Sequence, residues 1–402
     1  MKVFLRVLAY LLLAGIILWL LLPERFAVNV PIRLFGWGKP SIELLRDRLH
    51  LPDGFLIEIY ARDLSGARML RFTPQGDLLV SLPDAGDIVL LEHDTNKDHQ
   101  PDGRHTLLTD LYRPHGIDLH EGWLYVAETD AVGRIRFDAA GRTVRGKYQR
   151  IAQLPSGGGH WTRTLGFGPD GWLYVSVGSS CNACEEADPR RAALLRFPPE
   201  GGQGEIFATG LRNTVGFDWH PRTHKLYGTD NGRDLLGDNF PPDELNLIEQ
   251  GKFYGWPYAN GDKVPDPTFG PSHQKDIERS IAPVYHFAAH TAPLGITFLR
   301  GEQFPLVYQG SALVALHGSW NRTQKQGYEV ISLHFNKAGE ITERKFITGF
   351  EVNEEVIGRP VDVAEGPDGA IYISDDFTGS IYRIIYKGKV AQLNRLKQSI
   401  HN

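Results

Sequence analysis

One unit recurs along this chain and limits what it can fold into: a short apolar strand, a tight turn, then a second strand of alternating apolar residues. The turn-plus-strand part reads Thr73-Pro-Gln-Gly-Asp-Leu-Leu-Val-Ser, His120-Glu-Gly-Trp-Leu-Tyr-Val-Ala, Gly168-Pro-Asp-Gly-Trp-Leu-Tyr-Val-Ser, His220-Pro-Arg-Thr-His-Lys-Leu-Tyr-Gly, Gly310-Ser-Ala-Leu-Val-Ala and Gly366-Pro-Asp-Gly-Ala-Ile-Tyr-Ile-Ser. Asp-Gly and Gln-Gly suit tight hairpin turns, and the strands have period two. Units of roughly 40–50 residues built from short strands are the mark of propeller blades. Six units predict an all-β, six-bladed β-propeller over 51–388, with the excess length in insertions at 231–243 and 256–280. No amphipathic helix of useful length lies between the units, which excludes an alternating α/β fold. The strand Phe55-Leu-Ile-Glu-Ile-Tyr60 precedes the first unit without partners of its own. It is expected to supply the outer strand of the last blade, near 361–386, which closes the ring and removes an exposed edge.

Ahead of the ring, Val7 to Leu22 carries no charge, and Lys2 and Arg6 precede the bulk of that stretch. About 20 apolar residues span a bilayer, and flanking positive charge marks the cytoplasmic side. Residues 1–22 are therefore expected to form a single-pass transmembrane signal anchor in an inner membrane, with the propeller facing the periplasm. The competing reading is a cleaved signal peptide. The apolar run is longer than a typical h-region, and no small-x-small cleavage site follows Leu22. Residues 23–50 read as a linker and a short helix, Ile42–Arg48, capped by Ser41. Residues 389–402 read as a C-terminal tail.

A net charge of -5 with 23% charged residues argues against a nucleic-acid partner. Cys181 and Cys184 are the only cysteines. Glu185 follows where c-type haem attachment needs His, and a zinc site would need further ligands. In an oxidising compartment the pair is expected to form a disulfide.

In a propeller, the residues just before each inner strand converge on one mouth of the central channel. Here they are Arg68, Arg113 with His115, His160 with Arg163, Arg212 with Asn213, His290, and Arg359. Such a ring of cations would repel itself unless something anionic sat inside it. Planar guanidinium forks suit carboxylates.

Three segments carry a family resemblance: Gly210-Leu-Arg-Asn213, Asp243-Glu-Leu-Asn-Leu-Ile248 followed by Gly251-Lys-Phe-Tyr-Gly-Trp-Pro257, and Gly178-Ser-Ser-Cys-Asn-Ala-Cys184. Over about 51–388 the chain resembles the soluble quinoprotein sugar dehydrogenases, the glucose and L-sorbosone dehydrogenase group that uses pyrroloquinoline quinone (PQQ), a planar tricarboxylate. The cysteine segment and His317-Gly-Ser-Trp-Asn-Arg322 are closer to the sorbosone-type branch. The resemblance implies oxidation of an aldose or sugar aldehyde, with His160 as general base while hydride passes to the quinone. It implies cofactor binding by Arg212, Asn213 and Arg359, with Arg322 as a further candidate; Arg68, His115 and Arg163 are cofactor-binding candidates by their place at the channel mouth. It also implies Ca²⁺ held by backbone carbonyls, at positions that match Gly232 and Arg233. Arg233 replaces the family's Pro, and the loop after it is longer. Electrons would leave to a membrane quinone or a cytochrome.

A second calcium candidate comes from the residues themselves: Asp94, Asn96 and Asp98 alternate, with Asp102 nearby, although the glycine and distal Glu of an EF-hand are absent. Two other functions compete. A metal-dependent lactonase would need inward ligands such as Glu128 and Asp130, and a non-enzymatic propeller would bind glycan or protein. Trp161, Tyr254 and Trp256 are candidates to stack on a sugar ring or to pack between blades.

Overall fold

Four of the turns read from the sequence close as expected, with Gly76, Gly122, Gly171 and Gly369 at positive φ, where a residue without Cβ enters freely. The computed structural model of the chain describes residues 27–30, residues 40–388 and four helical positions between 8 and 13. The other positions of the expected anchor, and the tail, lie outside the described residues. Among the described residues no helix is long and apolar enough to cross a membrane. Ile42–Arg48 is helical, with Ser41 accepting from the Leu44 N–H at 3.1 Å.

The strands assemble into six four-stranded antiparallel sheets. Their inner strands are Leu70–Phe72, Ile117–His120, Leu165–Phe167, Thr214–Trp219, Pro293–Phe298 and Pro360–Glu365. The all-β six-bladed propeller is thus observed. Phe55–Ala61 pairs with Ser380–Tyr386, from Phe55 opposite Tyr386 to Ala61 opposite Ile381. The early strand therefore completes the last blade and covers its edge.

Blades hold one another through their facing sides. Tyr125 and Val132 of the second pack with Leu173 and Val175 of the third, and Tyr227 and Leu245 of the fourth with Ile296, Phe298 and Val314 of the fifth. Near the axis the approach is closer. A Cβ on Gly116 would lie 2.4 Å from the Leu165 nitrogen, and one on Gly216 2.1 Å from the Leu294 carbonyl oxygen. Inner-strand carboxylates stitch the ring as well. Asp118 accepts from Phe167 N–H at 2.9 Å, Asp218 from Phe298 N–H at 2.8 Å, and Asp362 from Leu70 N–H at 2.8 Å. A buried carboxylate is tolerable only when bonded in this way.

Candidate active site

The residues ahead of the inner strands surround a cavity of about 200 Å³ at one channel mouth, lined among others by Arg68, His160, Trp161, Arg212, Asn213 and Arg359. Each sits where a connecting loop turns into a strand, so a rigid sheet fixes the backbone from which it projects.

His160 has a defined proton arrangement. Its Nδ1 lies 3.0 Å from the Ser179 carbonyl oxygen and 2.8 Å from Ser179 Oγ. That hydroxyl donates to the Cys181 carbonyl at 2.7 Å, so both Ser179 oxygens face His160 as acceptors. Nδ1 therefore carries the hydrogen, and Nε2 keeps its lone pair. Burial, reinforced by the Arg212 cation, pushes the imidazole pKa down to about 3, so His160 rests neutral. A Cβ on Gly178 would lie 2.6 Å from Asn213 Oδ1 and 2.7 Å from His160 Cβ. Only glycine lets these two side chains come together.

Arg212 is held at every nitrogen. Nε donates to the Asn182 carbonyl at 2.9 Å, Nη1 to the Asn231 carbonyl at 3.0 Å, and Nη2 to Asn182 Oδ1 at 2.8 Å and Asp234 at 2.9 Å. Asp230 braces the turn from behind, accepting the Arg212 N–H at 2.9 Å and the Asn213 N–H at 2.7 Å. Asn182 lies between Cys181 and Cys184, which are joined by a disulfide as expected. Asn213 Oδ1 is buried and has no hydrogen-bond partner, although it lines the cavity.

On the opposite wall Arg68 pairs with Asp376 at 2.8 Å, and His317 Nε2 meets the same carboxylate at 2.9 Å. Burial alone would raise Asp376, but His317, Arg68 and Arg359 outweigh it and hold the carboxyl well below its ordinary range. Burial and the Arg359 cation push His317 down to about 4. Arg359 donates to the carbonyls of His317 and Gly318 at 3.1 and 3.0 Å. Its guanidinium has no carboxylate partner among the described residues' ion pairs. Asp376 and Asp234 thus pair with two of the three cavity arginines, and Arg359 is left without a carboxylate at ion-pair distance among the described residues.

Several expected site residues lie elsewhere. His115 is fully buried and sits behind Trp161, ring edge to ring face at 5.7 Å. Arg163 is fully buried too, spent on the carbonyls of His160, Thr162 and Pro155 at 2.7–2.9 Å; it fixes the backbone of His160 and does not line the cavity. Arg322 binds the Asp238 and Ala289 carbonyls, tying the 231–243 insertion to the fifth blade. Gly232 lines the cavity, whereas the Arg233 side chain leaves to pair with Asp266. Asp94, Asp98 and Asp102 do not converge, because their oxygens cap local groups: Asp94 the N–H of Asp98 and His99, Asp98 that of Gln100, Asp102 that of Thr95. Asn96 caps Asp98 N–H as well, at 2.8 Å. Glu128 and Asp130 are both bound by Arg150, at 3.0 and 2.7 Å, and are absent from the cavity lining. Tyr254 and Trp256 are buried between elements, and of the three aromatic candidates only Trp161 faces the cavity.

Sequence reasoning missed Ser179, Asn182, Asp234 and Asp243 as site residues. Asp243 accepts the N–H of Gly232 at 2.7 Å and of Ala292 at 2.9 Å. Burial raises three acids in this corner: Asp230 to about 7, Asp243 to about 6 and Glu244 to about 8. The oxygens of Asp230 and Asp243 are taken by neighbouring N–H groups, so these acids brace the loops around the cavity.

The family model described as TrAA12-like matches residues 49–387. An uncharacterized protein of Borreliella burgdorferi is 31% identical over 364 residues, covering 86% of this chain and 93% of that protein. Aldose sugar dehydrogenase YliI of Escherichia coli is 24% identical over 260 residues, 58% of this chain and 62% of that enzyme. Among solved structures, the holo form of the PQQ domain of pyranose dehydrogenase from Coprinopsis cinerea superposes with a TM-score of 0.72 at 21% identity, over 84% of this chain and 97% of that domain. The last likeness shows the fold.

Proposed function

The chain belongs to the TrAA12-like family, and from that premise we propose that it is a PQQ-dependent dehydrogenase oxidising an aldose or a sugar aldehyde. One observation carries the reading: a neutral His160 with a free Nε2 shares a cavity with Arg212, the unpaired Asn213 Oδ1 and the carboxylate-free Arg359. Those groups fit a planar polyanion that also donates a hydrogen bond. Arg212 and Arg359 would hold its carboxylates, and Asn213 Oδ1 would accept from a ring N–H. Bound there, the quinone supplies the two-electron acceptor for hydride.

The protein's own part is proton handling and placement. His160 Nε2 takes the hydroxyl proton of the sugar as hydride leaves carbon, and Ser179 keeps Nδ1 protonated throughout. Trp161 lines the sugar's side of the cavity, with the Arg113 guanidinium over its ring at 3.9 Å. Calcium would take the backbone carbonyl oxygens of Gly232 and Arg233 and polarise the acceptor. Electrons then pass to a membrane quinone or a cytochrome, and residues 1–22 hold the exported propeller at the inner membrane, facing the periplasm. The lactonase reading loses its ligands, since Arg150 occupies Glu128 and Asp130.

The test is direct. Purified propeller is mixed with PQQ and Ca²⁺ and offered aldoses and sugar aldehydes with a dye acceptor. Dye reduction and a PQQ-dependent rise in melting temperature are expected. No dye reduction with any sugar, together with an unchanged melting temperature, overturns the proposal.

A further inference from the structure

The chain segment just after the apolar stretch is strapped to the rim of the cavity. Asn29 N–H donates to the Trp320 carbonyl at 2.7 Å, and its side-chain amide donates to the Thr323 carbonyl at 3.1 Å and to Glu354 at 2.8 Å. Lys325 Nζ donates to Asn29 Oδ1 at 2.6 Å, and Asn321 Nδ2 to the Ala27 carbonyl at 2.6 Å. Trp320 itself lines the cavity. The other face of Asn321 accepts the Leu235 N–H at 2.7 Å, next to the cavity residue Asp234. Residues 27–30 are therefore fixed at this mouth of the channel.

The covalent distance is short. Ala27 lies five residues beyond Leu22, the last residue of the apolar stretch. An extended chain covers at most about 3.6 Å per residue, so Ala27 lies within about 18 Å of Leu22. Large apolar side chains stand exposed around the strap, among polar neighbours such as Thr323, Glu354 and Glu355. Val28 is 52% exposed, Val30 47%, Val352 41% and Trp320 40%, and Val352 belongs to the hairpin that carries Glu354. A tryptophan among aliphatic side chains suits the boundary between headgroups and acyl chains.

We propose that the cavity mouth faces the bilayer, with Val28, Val30, Val352 and Trp320 resting on the lipid surface of the membrane crossed by residues 1–22. The orientation rests on the anchor reading of those residues, and the electron transfer drawn from it rests also on the sugar-oxidation reading. Its functional content is that the acceptor arrives from the lipid: a lipid-soluble quinone takes the two electrons and two protons released per sugar oxidised, giving quinol.

The test uses the full chain reconstituted into liposomes of ordinary or brominated phospholipid, read by tryptophan emission. Trp19 lies within the apolar stretch and is quenched in every sample that inserts. Wild type is expected to show a second quenched component that disappears in Trp320→Phe. A 20-residue Gly/Ser insertion between Leu22 and Pro23 is expected to weaken that component, because such a linker has a root-mean-square span of roughly 25 Å. Equal quenching of wild type and Trp320→Phe overturns the proposal, as does recovery of the mature chain without residues 1–22. Dye-linked sugar oxidation is measured on the same samples. Its failure with quenching intact refutes the enzyme reading alone, and quenching failure with oxidation intact refutes the orientation alone.

Discussion

Asn182 offers the sharpest test of how this cavity is held. Its side chain makes three hydrogen bonds: Oδ1 accepts from Arg212 Nη2 at 2.8 Å and from Asp234 N–H at 2.9 Å, and Nδ2 donates to the Asp234 carbonyl at 3.0 Å. Asn182→Ala removes all three. A hydrogen bond to a charged group is worth about 1.5–3 kcal/mol, and a neutral one about 0.5–1.5 kcal/mol. The low ends together give about 2.5 kcal/mol of lost stability, a melting decrease of about 3–4 °C for a domain this large. Arg212 keeps its bonds to Asn231, Asp234 and the Asn182 carbonyl, so the cation stays in the cavity but is no longer clamped. Ordering one such side chain again on binding costs about 0.5–1.5 kcal/mol, which raises the PQQ Kd about tenfold at the upper end. His160 is oriented by Ser179, not by Asn182, so kcat at saturating cofactor should change less than threefold. Isothermal titration with PQQ, thermal melts and steady-state rates at saturating PQQ give the three numbers. A fall in melting temperature with unchanged Kd would make Asn182 merely structural. A collapse of kcat at saturation would refute the separation of cofactor grip from proton transfer.

Three further outcomes are expected. In cofactor-free protein the His160 ring stays neutral from pH 8 down to 5, because burial and Arg212 place its pKa at about 3; an NMR titration with a midpoint near 6.5, absent in His160→Gln, would refute this, and the same variant is expected to lose turnover while retaining PQQ affinity. Arg359→Ala removes the cavity guanidinium that has no carboxylate partner, so PQQ affinity should fall about 30-fold or more, the equivalent of ~2 kcal/mol; a loss below threefold in a calorimetric titration shows that Arg359 does not meet the anion. Phe55 packs against Phe304, Tyr308, Phe346 and Tyr386 with centroids 5.0–5.5 Å away, so Phe55→Ala should cost about 3–5 kcal/mol in denaturant unfolding, and a cost below 1 kcal/mol would mean that the closing strand contributes little.

The ring was legible because its signals are local: turn glycines, period-two strands, and one unpaired strand at the beginning. The site was legible only in part, because being placed ahead of an inner strand fixes a backbone position and not a side-chain direction. That rule located Arg68, His160, Arg212, Asn213 and Arg359 correctly at the cavity. It failed for His115 and Arg163, which turn back into the protein to fill space behind Trp161 and to bind carbonyls. The Cys181–Cys184 segment marked the family without revealing the role of Asn182, which acts on Arg212, 30 residues away, and on Asp234, 52 residues away. The charge argument failed for a related reason. Arg68 and its counter-ion Asp376 are 308 residues apart in sequence, and only ring closure makes them neighbours. The contact that completes the sixth blade thus also sets the charge of the cavity wall. A variant that loosens the closing strand without unfolding the ring, such as Phe55→Ala in mild denaturant, should therefore free Arg68 from Asp376 and release His317 from the same carboxylate. The His317 titration would then shift before the blades separate, and simultaneous loss of both signals would show that closure and cavity are not coupled in this way.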